Sequence, residues 1–270
     1  MNRETLQNSA GLRVAIIAGL TLVLCIPALF IQFLIYEREN RQVEAVREVT
    51  AKWGESQYLT GPVLSVPVLY EKKQTDGTIN KIKRLLYVLP GDFSVAGHLY
   101  PEMRYRGIYQ ILLYNSDLQF SGNFILPSKE ELDLEGGTLQ LHEALLEFGI
   151  SDPAGISDRI EIKWNDAVFE AKPGIRNCNT IKAGFHTNSP IDEKSDISTF
   201  QFSTRIKGSE RLSVTPVGEE TTASLSGKWS HPSFTGDFLP HIRKIDENQF
   251  SAEWKILNLN RNFPHYSMVS

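Results

Sequence analysis

Two cysteines, Cys25 and Cys178, are all that this sequence of 270 residues contains. Cys25 lies inside an apolar run, out of reach of any residue in a soluble domain, so no intrachain disulfide is expected. The fold must then hold by burial alone, which a chain of this length can do. Cys178, with no charged partner in view, reads as an inert free thiol. Strong charge is missing as well. The first 36 residues hold only Arg3, Arg13 and Glu4, and beyond them 26 basic residues face 31 acidic ones. Such mild acidity gives no electrostatic ground for binding nucleic acid. The densest basic run, Lys81-Ile82-Lys83-Arg84, falls in a strand-like stretch and reads as a solvated strand face.

Local catalytic signatures are also absent. His98, His142, His186, His231, His241 and His265 fall in no zinc-binding spacing; His142-Glu143 opens like a zincin motif, but the second histidine is missing. There is no G-x-S-x-G elbow, P-loop or dinucleotide fingerprint, so neither a cofactor nor an enzymatic activity is expected. A triad assembled from distant residues stays open, because such sites are spatial rather than sequential. No fixed-period repeat or low-complexity tract appears.

What the sequence does have is one long hydrophobic run. Val14 to Tyr36 reads VAIIAGLTLVLCIPALFIQFLIY, with Thr21 and Gln32 its only clearly polar side chains. As a helix it would span ~34 Å at ~1.5 Å per residue, enough to cross a hydrocarbon core. Pro27 is tolerated in such a helix. The run is too long for a signal-peptide core and no small-x-small pair follows it, so it is expected to stay attached. Leu24 before Cys25 argues against a lipoprotein signal. Charge counting leaves orientation open: Arg38, Arg41, Arg47 and Lys52 outnumber Arg3 and Arg13, yet long domains translocate largely regardless of charge.

Residues 37–55 read as a helical stem, rich in helix formers and closed by Gly54. From Tyr58 onward the period becomes two. Leu64, Val66, Val68 and Tyr70 alternate, and Asp76-Gly77 signals a hairpin turn toward Lys81–Leu89. Alternation recurs at Leu118/Phe120/Gly122/Phe124, Ile160/Ile162/Trp164, Phe200/Phe202, Ala223/Leu225/Gly227/Trp229 and Phe250/Ala252/Trp254/Ile256. Pro90-Gly91, Gly136-Gly137, Asp152-Pro153, Pro173-Gly174, Ser189-Pro190 and Pro216-Val217-Gly218 separate these runs. The pattern predicts a mainly β chain with a large antiparallel β-sandwich-like domain. Leu139–Glu147 fits either a helical turn or a buried strand.

Trp229 to Pro240 (WSHPSFTGDFLP) joins two alternating runs through a stretch dense in aromatics and prolines. Its functional reading is a binding lip, with Trp229, Phe234 and Phe238 as anchors. Its architectural reading is a packed crossover whose aromatics cap the sandwich. On that reading the Trp229 ring is largely buried, in an aromatic cluster with Phe250 and Trp254. His231 and Ser233 hint at a base and a nucleophile on one side of a strand.

These residues also carry a resemblance. The membrane run into Tyr36-Glu37-Arg38, Gly61-Pro-Val-Leu-Ser-Val-Pro-Val68, Leu89-Pro90, Glu102-Met-Arg-Tyr-Arg-Gly-Ile-Tyr109 and Ile150-Ser-Asp152 match it in order. So do Trp229-Ser-His-Pro-Ser-Phe-Thr-Gly-Asp-Phe-Leu-Pro240 with Arg243, and Phe250-Ser-Ala-Glu-Trp254. The chain resembles the CreD family of inner-membrane proteins over nearly its whole length. The resemblance implies a cytoplasmic N-terminus, a periplasmic domain and a role in envelope integrity, with no family active site to carry over. Two departures stand out. Family members continue into further membrane helices, whereas this sequence ends at Ser270, and Ala154 stands where the family often has a basic residue.

The sequence thus predicts a short cytoplasmic N-terminus (1–13), a transmembrane helix (14–36), a helical stem (37–55), a periplasmic β domain (56–264) and a tail (265–270). The function expected is a membrane-anchored envelope protein whose β domain binds another envelope component, protein or lipid. A periplasmic hydrolase built on His231 and Ser233 is the alternative, as is a lipid or small-molecule carrier using the space between the sheets. Membrane lipid is an expected partner and nucleic acid is not. Retention of the anchor is checked by intact mass: the purified protein should keep residues 1–36, and a mature form starting near Glu37 would contradict it.

Overall fold

In the computed structural model a single helix, α1 (Ala10–Trp53), carries the apolar run and the predicted stem without a break, passing through Pro27. The structure describes residues 10–73, 79–132, 134, 136–193, 195, 197–261 and 263–269. Within them α1 is long and apolar enough to cross a membrane, with a mean hydropathy of 2.8 over its most apolar window. The chain divides into two units, Met1–Val49 with Arg106–Tyr109, and Thr50–Tyr105 with Gln110–Ser270. In the first, Thr21 folds its hydroxyl back to the Ile17 carbonyl, and Arg41 pairs with Glu37 one turn away at 2.6 Å. Such bonds keep polar groups along a helix satisfied from within.

The second unit is built from strands, numbered β1 to β16 along the chain. One sheet holds β1 (Gln57–Lys73), β2 (Ile79–Val88), β5 (Thr138–Leu139), β6 (Leu145–Ile150), β9 (Lys172–Pro173), β10 (Gly184–Asn188), β12 (Leu212–Val214) and β16 (Tyr266–Val269). The other runs β14 (Ile242–Ile245), β15 (Phe250–Leu257), β13 (Glu220–Gly227), β3 (Asp92–Arg106), β4 (Tyr109–Ile125), β11 (Ile197–Ser209), β7 (Glu161–Trp164), β8 (Ala167–Glu170) in spatial order. The expected mainly β architecture is present. Most pairings are antiparallel, but β13 lies parallel to β3 and β12 parallel to β1, so the sheets are mixed rather than purely antiparallel. Alternation reveals a strand's two faces, not its neighbour, and this is why the parallel pairs escape sequence reading. The Asp76-Gly77 turn lies outside the described residues, although the flanking strands pair from Lys73↔Ile79 to Leu64↔Val88.

Aromatic rings fill the space between the sheets. Phe120 of β4 stacks on Phe202 of β11 with centroids 4.8 Å apart and meets Phe148 of β6 edge-on at 4.9 Å. Phe148 in turn stacks on Phe185 of β10 at 5.4 Å, so both sheets contribute to one ring cluster. β11 shows the period-two rule directly: Phe200, Phe202, Thr204 and Ile206 are buried while Thr199, Gln201, Ser203 and Arg205 are exposed. Gly122 interrupts the aromatic run of β4 for a steric reason. It pairs with Phe200, and a Cβ there would lie 2.9 Å from that ring and 2.1 Å from the Asp92 carbonyl oxygen.

Three segments differ from their expected form. Leu139–Glu147 is both things at once, a 3-10 turn (Leu141–Glu143) followed by fully buried β6. The segment expected as a tail supplies β16, which pairs with β2 from Tyr266↔Val88 to Val269↔Leu85. Ile150-Ser-Asp152 turns out to brace the start of β1. Ser151 takes the Tyr58 amide, Asp152 takes the Glu55 amide at 2.9 Å, and the Gln57 side chain bonds the Asp152 and Lys207 carbonyls.

Tyr114, buried in β4, donates its hydroxyl to the Arg211 carbonyl at 2.8 Å. Its partner across the sheet must be glycine: a Cβ on Gly208 would sit 2.3 Å from the Tyr114 oxygen. Burial pushes this phenol well above its ordinary value, offset in part by the Gln57 backbone. A raised folded-state value stabilises the fold below the unfolded pKa of ~10, and that stability drains away as pH rises past it. Tyr114→Phe should therefore cost ~0.5–1.5 kcal/mol near neutrality and flatten the loss of stability above pH ~10, read from denaturant melts across pH.

Candidate functional site

Because β3, β4 and β11 point their apolar residues inward, their alternate residues form the outer face of the second sheet. That face is a trough. A cleft of about 560 Å³ is lined by His98 from β3, Asp117 and Gln119 from β4, Ser203 and Arg205 from β11, and the Asp158–Arg159 loop. A second hollow of about 540 Å³ shares Asp117, Asp158 and Arg205 and adds Tyr100 and Lys207. Strand register brings the central groups together, with Asp117 opposite Arg205 and Gln119 opposite Ser203.

The polar groups in the trough are held rather than loose. Arg205 forks onto Asp158, with Nε at 2.5 Å from one oxygen and Nη2 at 3.3 Å from the other. That hydrogen bond, the charge of Asp158 and then the charge of Asp117 push the guanidinium still further up. The Tyr100 hydroxyl donates to Asp117 at 3.1 Å, and this bond, with burial behind it, raises the Tyr100 phenol. His98 bonds Ser226 of β13 through Nδ1 at 2.9 Å and meets the Tyr100 ring edge-on at 4.7 Å. The two hollows carry Asp117 and Asp158 against Arg159, Arg205 and Lys207, with Arg205 paired to Asp158 and Arg159 4.0 Å from Glu170 beyond the lining. Around them the face carries short neutral side chains, among them Thr222 bonded to Ser94 at 3.1 Å. The chemistry on offer is hydrogen bonding in both senses with little net charge. Sequence reading missed this site, because Gln119, Gln201, Ser203, Ser224 and Ser226 look like an ordinary solvated face; curvature leaves no mark in a period of two.

The segment singled out in the sequence lies at the other end of this sheet, beyond β13. β13 stops at Gly227, so the alternation does not extend to Trp229. Its side chain is partly buried, and its Nε1 turns back to the His231 carbonyl at 2.9 Å. The aromatic cluster exists with a different member. Phe234 packs edge-on against Trp254 at 5.7 Å and Phe250 at 6.2 Å, and Trp254 donates to the Phe238 carbonyl. His231 is exposed and bonds Ser230, at 2.7 Å, rather than Ser233, which has no hydrogen bond among the described residues. Arg243 is exposed on edge strand β14 opposite Ala252. The structure thus joins Phe234 and Phe238 to β15 but does not bring His231, Ser233 and Arg243 into one site.

A second polar cluster sits on the outer face of the first sheet. Glu147 of β6 is fully buried beneath the loop after β9 and accepts the amides of Arg176 and Asn177 at 2.7 and 2.8 Å. Asn177 bonds Ser65 through its side chain and receives the Tyr87 hydroxyl on its carbonyl. Cys178 is buried beside Tyr87, Val63 and Ile181. Burial, then Cys178 and Glu147, push the Tyr87 phenol up. This cluster fastens a loop to a sheet. Among the described residues no group of three His, Cys, Asp or Glu is placed to hold a metal ion.

Comparison with known proteins bears on the whole chain. The family described as inner membrane protein CreD matches residues 9–269. The chain belongs to the CreD family. The inner membrane protein CreD of Escherichia coli (strain K12) is 28% identical over 241 residues, covering 88% of this chain and 53% of that protein. The chain therefore spans about half the length of this CreD relative. No solved structure matches.

The geometry reorders the expected mutational costs along Trp229–Pro240. A fully buried aromatic loses ~3–5 kcal/mol on truncation, and half-buried Trp229 should lose about half of that. Phe234→Ala should cost at least as much as Trp229→Ala, and His231→Ala and Ser233→Ala should be near neutral, as exposed side chains usually are. Thermal melts of the four variants of the detergent-solubilised chain check that order.

Proposed function

We propose that this chain is a membrane-anchored envelope-integrity protein, with α1 starting in the cytoplasm and the β domain in the periplasm, where the outer trough of the second sheet binds another envelope component. Membership of an inner-membrane family and the long apolar helix α1 support the anchor. The family resemblance supports the orientation that charge counting leaves open. The observation that carries the binding reading is the trough itself, whose size falls in the range of small-ligand sites, about 300–1,000 Å³.

Its chemistry favours a neutral, hydroxyl-rich ligand of the kind a glycan offers. Balanced charges would not select a strongly charged partner, while fixed carboxylates, guanidiniums, an amide and hydroxyls supply acceptors and donors at several points. The Tyr100 and His98 rings add apolar faces. The packed rings between the sheets occupy the space that a carrier would need, and His231 bonds Ser230 rather than the Ser233 that the hydrolase reading pairs it with.

One labelling experiment tests both halves. Ser203 is exposed in the trough, so Ser203→Cys should react with a membrane-impermeant maleimide in cells whose outer membrane alone is permeable. Soluble glycan fragments of the cell envelope should slow that reaction several-fold. Labelling only after the inner membrane is broken would reverse the orientation. Labelling unchanged by saturating glycan would remove the glycan as ligand.

A further inference from the structure

The hairpin that joins β3 to β4 ends in Arg106-Gly107-Ile108-Tyr109, and these four residues belong with the helix in one unit. Two contacts fix them along α1. Arg106 reaches both oxygens of Glu48 through Nη2, at 2.8 and 2.9 Å. Tyr109 donates its hydroxyl to the Arg38 carbonyl at 3.3 Å. Arg38 is only two residues past Tyr36, the last residue of the apolar run, which is about 3 Å along a helix axis. The headgroup layer on each side of a bilayer is about 5–7 Å deep. A tyrosine hydroxyl bonded at Arg38 is therefore at headgroup depth if the apolar run fills the hydrocarbon core.

The residue at the tip fits that place and fits water poorly. Ile108 is 74% exposed, beside Gly107 at φ +60, around which an added Cβ would meet nothing within 4 Å. Two-residue hairpin turns are ordinarily made of asparagine, aspartate and glycine. A bare isoleucine there, next to a tyrosine, has the composition of an interfacial anchor, an apolar tip beside an amphipathic ring, while Arg106, held at Glu48 about 18 Å beyond Tyr36, stays above the headgroup layer. We infer that the Ile108–Tyr109 end of the 106–109 hairpin tip is a second membrane contact, seated in the lipid headgroup layer of the same leaflet that α1 leaves at Tyr36, with Ile108 directed to the acyl boundary. This rests on α1 crossing the membrane and is independent of which side the β domain occupies.

Quenching in vesicles tests it on the full chain. The parent, labelled at Cys25 with an environment-sensitive fluorophore, and Cys25→Ser/Ile108→Cys, labelled at the new thiol, are reconstituted in phosphatidylethanolamine–phosphatidylglycerol vesicles. A nitroxide near the headgroup end of the acyl chain should quench the label at position 108 at least twofold more than aqueous iodide does. A nitroxide deep in the acyl chain should quench Cys25 instead, which separates failure of the anchor from failure of the hairpin contact. A label at 108 that iodide quenches freely, or that neither agent reaches because protein covers it, with Cys25 still quenched from within the bilayer, would overturn the inference.

Discussion

The fusion of two inner faces through Phe120, Phe148, Phe185 and Phe202 is the constraint from which the rest of the domain follows. Rings from β4 and β11 meet rings from β6 and β10 at centroid distances of 4.9 to 5.7 Å, so neither sheet can slip by one residue without expelling an aromatic into water. Such rings bury more surface than any aliphatic side chain and prefer the stacked and edge-on pairs seen here. The glycines answer to the same demand. Gly122 and Gly208 are small because Phe200 and Tyr114 need the space across the sheet.

Placing these rings inward places their sequence neighbours outward. With Leu118 and Phe120 in the core, Asp117 and Gln119 face out; with Phe202 in, Ser203 must face out. The two outer faces then meet different fates. On the first sheet a loop folds over Glu147, Ser65 and Tyr87 and is held by a carboxylate that accepts two backbone amides. Both amides reach Oε1, while Oε2 is buried with no partner among the described residues. On the second sheet no such loop among the described residues covers β3, β4 and β11, and the face is left as a trough with the Arg205–Asp158 pair already formed.

The other unit follows a different solvent. A helix that buries none of its apolar window within the protein is paired with side chains that are right for lipid and wrong for water. Its polar neighbours past Tyr36, with the hairpin tip beside them, have the sequence of residues found where hydrocarbon gives way to headgroups.

Much of this was legible in the sequence because it depends on local period and composition. Twenty-three residues with two clearly polar side chains read as a membrane helix, and the alternation at Leu118–Phe124 and Phe200–Phe202 read as half-buried strands, as they are. Wherever a side chain's role depended on residues distant in the chain, the sequence fell silent or misled. Trp229 extends an alternating pattern on paper, yet the strand ends at Gly227 and Phe234 takes the place beside Trp254. Glu147 closes a stretch that fits either a helical turn or a buried strand, and nothing near it in sequence shows that a loop nearly thirty residues on brings two amides to its carboxylate. By itself the sequence determined which faces are apolar, since the hydrophobic effect acts on each residue through its immediate period. Only the tertiary structure decided which strands are neighbours, that β13 lies parallel to β3, and that one polar face is covered while the other stays open, because those outcomes come from shape matching between segments that the chain order does not bring together.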